Sequence, residues 1–167
     1  MIVFRPGHRG GFTLIELLIV VAVILVMSAT AAVSLPRFRA DALLNAATEL
    51  QSVLAVTRET AIAMRAPLPV TLHIASNSVS YFKPGGQAAT LQFNGTIGYS
   101  SGLGNGDLTL EFDAFGHPNL PQDLPSDTDD SGSVYGYVTL ETKGGGFIIK
   151  VLVHMNTGET EIQWVKR

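Results

Sequence analysis

The stretch Phe12-Thr13-Leu14-Ile15-Glu16-Leu17-Leu18-Ile19-Val20-Val21-Ala22-Val23-Ile24-Leu25-Val26-Met27 continues through Ser28 to Leu35 with one charged side chain, Glu16. Residues 17–27 are apolar without interruption. As an α-helix rising about 1.5 Å per residue, residues 12–35 reach roughly 36 Å, enough to cross a hydrocarbon core of about 30 Å. The alternative, a helix buried on all sides in a soluble domain, needs a sheath that the Gly- and Pro-rich remainder is poorly suited to supply. The fold is therefore expected to start with a membrane-length helix. The apolar excess of the 167-residue chain, which is 15% charged against roughly 25% in soluble domains, is concentrated there.

Ahead of the helix lies residues 1–11, a short tail carrying Arg5, His8 and Arg9 and closing on Gly10-Gly11. A charged tail before an apolar core has the outline of a secretory signal, but such signals place their small residues behind the core. Here the small-residue break comes first, with Ala29-Thr30-Ala31 as the rival cleavage position. Positive charge does not orient the segment, because Arg5 and Arg9 are balanced by Arg37 and Arg39. Glu16 is the informative residue. A charge deep in a bilayer costs on the order of 2.5–3.5 kcal/mol on insertion scales and is usually functional. Near a helix start it can also reach the headgroups and favour the helix dipole. A cut after Gly11 would place a new α-amine on Phe12, about one turn from Glu16. Between neighbouring chains that amine and the carboxylate would neutralise each other where an unpaired charge is expensive.

Behind the apolar run, Pro36 is expected to bend the helix rather than end it. From Asp41 to Met64 the pattern turns amphipathic, with Leu43, Ala47, Leu50, Leu54, Ala61 and Met64 on one stripe. Pro67 closes the helix at or before Ala66. Short alternating segments follow: residues 70–74 and 78–82 around a Ser76-Asn77 turn, then 90–93 and 108–112. Residues 135–141, 147–155 and 159–165 complete the set, with Gly144-Gly145-Gly146 and Asn156-Thr157-Gly158 as turns. The fold class is α+β, a long N-terminal helix followed by an antiparallel β-sheet domain without βαβ units. The helix divides into an apolar half, 12–35, and an amphipathic half, 36–66, ahead of a β-rich domain, 67–167.

The run Gly11-Phe12-Thr13-Leu14-Ile15-Glu16-Leu17-Leu18 resembles the processing motif of type IV pilins and type II secretion pseudopilins. It combines a glycine before the cut, a phenylalanine after it, and a glutamate four residues into an apolar helix. The resemblance implies that residues 1–11 are a prepilin leader, that prepilin peptidase cuts after Gly11, and that Phe12 is N-methylated. It also implies a single-pass inner-membrane protein with its C-terminal domain in the periplasm. Assembly into a helical filament with other pilins or pseudopilins would pair Glu16 with the Phe12 amine of a neighbour. Loss of Arg5 and Arg9 takes the net charge from −3 to −5. Three further stretches are similar to the minor pseudopilin H (GspH/FimT) group: residues 54–62 around Arg58, residues 110–116 ending in Gly116, and Val151-Leu152-Val153 leading to Thr157-Gly158. Retention of Glu16 argues against the tip-most pseudopilin. The function implied is a minor pseudopilin supporting protein secretion across the outer membrane. The alternative is a minor type IV pilin of the FimT/FimU kind, serving pilus biogenesis or DNA uptake.

The remaining chemistry is sparse. No cysteine is present, which removes thiol nucleophiles, disulfides and thiolate metal sites together. Asp127, Asp129 and Ser131 fall at the first, third and fifth places of a calcium-loop opening, with Gly132 at the sixth. Val138 stands where such a loop wants a bidentate carboxylate. No cofactor is expected, those three residues remaining the calcium candidates against the reading of a solvated loop bounded by Pro118, Pro121 and Pro125. Nucleic acid is not an expected partner: no Lys or Arg occurs between Lys83 and Lys143, and the closing turn reads Gly158-Glu159-Thr160-Glu161. His8, His73, His117 and His154 show no metal spacing, and no nucleophile-elbow motif marks a serine, so no enzyme activity is expected.

Overall fold

The computed structural model describes residues 12–100, 103, 106–128 and 132–165, with backbone alone for residues 29–36. The chain divides into two compact units, Met1–Arg37 and Phe38–Arg167. One helix, α1 (Leu14–Met64), runs from the first into the second, and its backbone stays helical through Pro36, so this proline does not end it.

Among the described residues of the first unit, α1 buries no large apolar side chain. From Phe12 to Met27 the large apolar side chains are 47% to 83% exposed on every face of the helix. A helix apolar all round needs lipid or other helices around it.

In the second unit the stripe of α1 is buried as its spacing requires: Leu43, Ala47, Leu50, Leu54 and Ala61 are fully enclosed, joined by Ala46 and Val53. Met64 departs from the expectation and is half exposed. It is the last helical residue, where the chain turns away and leaves it beside Pro84 and Gly85 in a cavity of about 280 Å³. Thr57 and Thr60 are buried within the stripe with their polar groups satisfied, because their hydroxyls donate to the Val53 and Val56 carbonyls one turn back. The helix stops through a left-handed residue, Arg65 (φ 51°). Its N–H donates to Ile62 O and that of Ala66 to Ala61 O, the paired bonds of a Schellman cap.

Ten strands follow among the described residues: β1 (Leu68–His73), β2 (Ser78–Phe82), β3 (Ala88–Gln92), β4 (Ile97–Tyr99), β5 (Leu108–Phe112), β6 (Pro118–Asn119), β7 (Ser126–Thr128), β8 (Val134–Thr142), β9 (Ile148–His154) and β10 (Thr160–Val165). Every pairing is antiparallel. One sheet has the order β3-β2-β1-β5-β6, and the other β10-β9-β8-β4 with β7 also on β8. Period-two alternation puts Leu68, Val70 and Leu72 of β1 and Leu108, Leu110 and Phe112 of β5 inside. Val138 and Leu140 of β8 and Ile149, Val151 and Val153 of β9 belong to the same core as the helix stripe. The expected hairpin between β1 and β2 is present, and Asn77 takes the left-handed position (φ 51°) that asparagine tolerates. Strands β4, β6 and β7 were not anticipated. The last two lie in the proline-bounded stretch read as loop. Of the glycine-rich stretch 102–106, only residues 103 and 106 are described, and Leu103 is buried.

Candidate functional site

The sequence places its strongest chemistry at the start of α1. Thr13 is the N-cap: its carbonyl accepts from the Glu16 and Leu17 N–H groups at 3.1 and 3.2 Å, and its Oγ1 accepts from Glu16 N at 3.3 Å. Thr13-Leu14-Ile15-Glu16 is thus a capping-box sequence, with Glu16 at the third helical position where glutamate or glutamine is favoured. Sequence reasoning credited Glu16 with the helix dipole but overlooked this cap, whose T-x-x-E spacing was legible. Phe12 is 79% exposed and Glu16 is exposed, so neither is committed to a contact that would keep it from another chain. Gly11 lies outside the described residues. Among the described residues no helix is long and apolar enough to cross a membrane. Ahead of Arg37 the described side chains of α1 stop at Ser28, and residues 14–28 span roughly 22 Å at about 1.5 Å per residue.

A second convergence lies in the globular unit. Arg58 of α1 donates through Nε to the Gly116 carbonyl at 3.3 Å. Gly158, in the turn between β9 and β10, packs against the same carbonyl, which a Cβ on Gly158 would strike. Residues 58, 116 and 158, far apart in sequence, therefore meet at one point. Beside it opens a cavity of about 400 Å³ lined by Arg58, Glu59, His154, Glu159 and Glu161. Phe115 projects from the neighbouring turn, 77% exposed. Its backbone is held by Asp113, whose Oδ1 accepts from the Phe115 and His117 N–H groups at 2.8 Å each. These bonds, that from His117 foremost, hold the Asp113 carboxyl below its ordinary range. Burial pushes the Tyr99 phenol upward, its hydroxyl donating to Ser78 O at 3.1 Å.

The calcium candidates are not gathered into a described site. Asp127 sits in β7, opposite Tyr135, and its Oδ1 accepts from the Thr128 N–H at 2.9 Å. Asp129 and Ser131 lie outside the described residues. No group of three or more His, Asp or Glu side chains among the described residues could hold a metal.

Residues 7–32 match the family described as the prokaryotic N-terminal methylation motif. The chain carries a type IV prepilin-like signal there, and such a motif goes with prepilin peptidase processing and assembly with other pilins. No curated protein and no solved structure matches the chain.

Proposed function

We propose that this protein is a minor pseudopilin of a type II secretion pseudopilus, an assembly subunit and not an enzyme. Prepilin peptidase cuts after Gly11 and Phe12 is N-methylated. Residues 12–35 hold the chain in the inner membrane with the β-rich unit in the periplasm, until α1 enters the filament. The observation that carries this reading is the methylation motif at 7–32 set on a capped helix whose apolar side chains are exposed on every face. The large apolar side chains described from Phe12 to Met27 are all exposed, and packing among copies or relatives would cover them. A contact that joins different patches of successive subunits propagates a filament. The meeting of residues 58, 116 and 158 supports the H-type assignment, since the three stretches that resemble that group form one node. The carboxylates around the adjoining cavity disfavour nucleic acid and suit a basic protein partner.

Mass spectrometry of the protein from its native host is the test. The expected N-terminus is N-methylated Phe12. Material beginning at Met1, or beyond Ala31, overturns the assignment. Loss of secretion with intact pili in a deletion strain separates the pseudopilin from a minor pilin.

A further inference from the structure

The antiparallel register of the first sheet brings three chemically connected side chains to one outer face. Leu72 of β1 lies opposite Leu108 of β5, so the adjoining residues, His73 and Asp107, face each other at the end of that ladder. On the other side of β1, His73 is opposite Ser78, and Ser80 is its diagonal neighbour on the same face of β2. His73 Nδ1 lies 2.8 Å from Asp107 Oδ2, and His73 Nε2 lies 2.9 Å from Ser80 Oγ. An ionised carboxylate only accepts, so Nδ1 carries the proton of the neutral ring. Nε2 is then the acceptor, and the Ser80 hydroxyl donates to it. A nucleophile bonded to a base that a third group orients is the signature of an activated serine, recognised by geometry and not by sequence position.

We propose that Ser80 is a base-activated nucleophile that takes an acyl group from a small ester, with His73 accepting its proton and Asp107 as the positioning residue. Ser80 Oγ attacks the ester carbonyl carbon while its proton passes to His73 Nε2. The ester C–O bond then breaks, and His73 returns the proton to the departing alkoxide, leaving O-acyl-Ser80 and an alcohol. The side chains of His73 and Asp107 are 31% and 55% exposed, so a dissolved donor reaches them. The reaction proposed is a single acylation of Ser80, as at an acceptor site. The inference stands apart from the N-terminal reading, because all three residues belong to the globular unit.

Ser76 provides an internal control, since it is exposed and its hydroxyl is bonded to that of Ser78 at 2.8 Å rather than to a histidine. The full-length chain in detergent is treated with p-nitrophenyl acetate and acetylation is mapped by peptide mass spectrometry. Ser80 is expected to acetylate at least about a hundredfold faster than Ser76, the low end of what a positioned general base contributes. His73→Gln removes that advantage, Asp107→Asn reduces it, and Asp107→Glu restores part of it. Unfolding temperatures of the variants establish that each retains its fold. Equal acetylation of Ser80 and Ser76, or an unchanged Ser80 rate in His73→Gln, overturns the proposal.

Discussion

Gly158 has φ +68°, a conformation that side chains rarely adopt, and a Cβ there would meet the backbone of Gly116. The obstacle is a carbonyl and not the end of a flexible side chain, so the turn cannot give way cheaply. Gly158→Ala is expected to destabilise the globular unit by about 2–4 kcal/mol, combining backbone strain with the displaced contact. Chemical denaturation measures it, and a change under about 0.5 kcal/mol, typical of an unremarkable surface site, would refute it. Asp113 makes a different prediction. Its carboxyl is held below the ordinary 3.8 by N–H donors of its own turn. A depressed folded value means that the carboxylate's contribution is complete above the unfolded value and lost as pH falls through the folded one. The carboxylate's own contribution to the 113–117 turn should therefore persist as pH falls to about 4 and be lost only in stronger acid. A carbon-detected NMR titration of Asp113 with a midpoint at or above 3.8 contradicts this.

At the scale of elements, α1 carries two opposite instructions, and its amphipathic half is the part that a stability measurement reads. Leu50 is fully enclosed while Leu44 is 38% exposed on the same helix. Leu50→Ala should cost about 2–5 kcal/mol through lost burial and a residual cavity. Leu44→Ala should cost well under half as much, and equal losses would show that the stripe has been misplaced. The stripe was legible because a 3.6-residue period over many turns leaves little choice of face, and the strands β1, β2, β5, β8, β9 and β10 because alternation of two marks one buried side. Strands of two or three residues carry no such period: neither Pro118–Asn119 nor the polar, exposed Ser126–Thr128 has a buried face, and only pairing with β5 and β8 makes them strands. Met64 was misjudged because a periodic pattern does not announce where its covering surface ends. The His73–Asp107–Ser80 set was invisible for a related reason. It depends on register between strands whose members are 34 and 7 residues apart, and no local spacing encodes that register.

For the whole molecule, the decisive question is what Glu16 does, and its position in a capping box separates two answers. Within its own chain, residue 16 holds the third helical position of a capping-box sequence, a place that glutamine serves as well as glutamate. Toward another chain, its negative charge is what counts, and glutamine cannot replace it. Glu16→Gln therefore keeps shape and cap while discarding charge. It gives up about 0.3–1 kcal/mol of helix-dipole stabilisation at most, too little to undo a 51-residue helix. If the carboxylate neutralises the Phe12 amine of a neighbouring subunit, its removal leaves an ammonium unpaired in an apolar setting, a loss of about 3–5 kcal/mol for a buried pair. Cells carrying Glu16→Gln should process and methylate the chain normally and keep it in the membrane, yet incorporate it into filaments at least tenfold less. Thr13→Ala, which removes the capping hydroxyl and keeps the charge, should leave incorporation within about twofold, since a lost cap costs only about 1 kcal/mol on a long helix. If both variants assemble like the parent, the acid is only a helix-start residue. If Thr13→Ala is the more damaging of the two, filament entry depends on the cap and not on the charge.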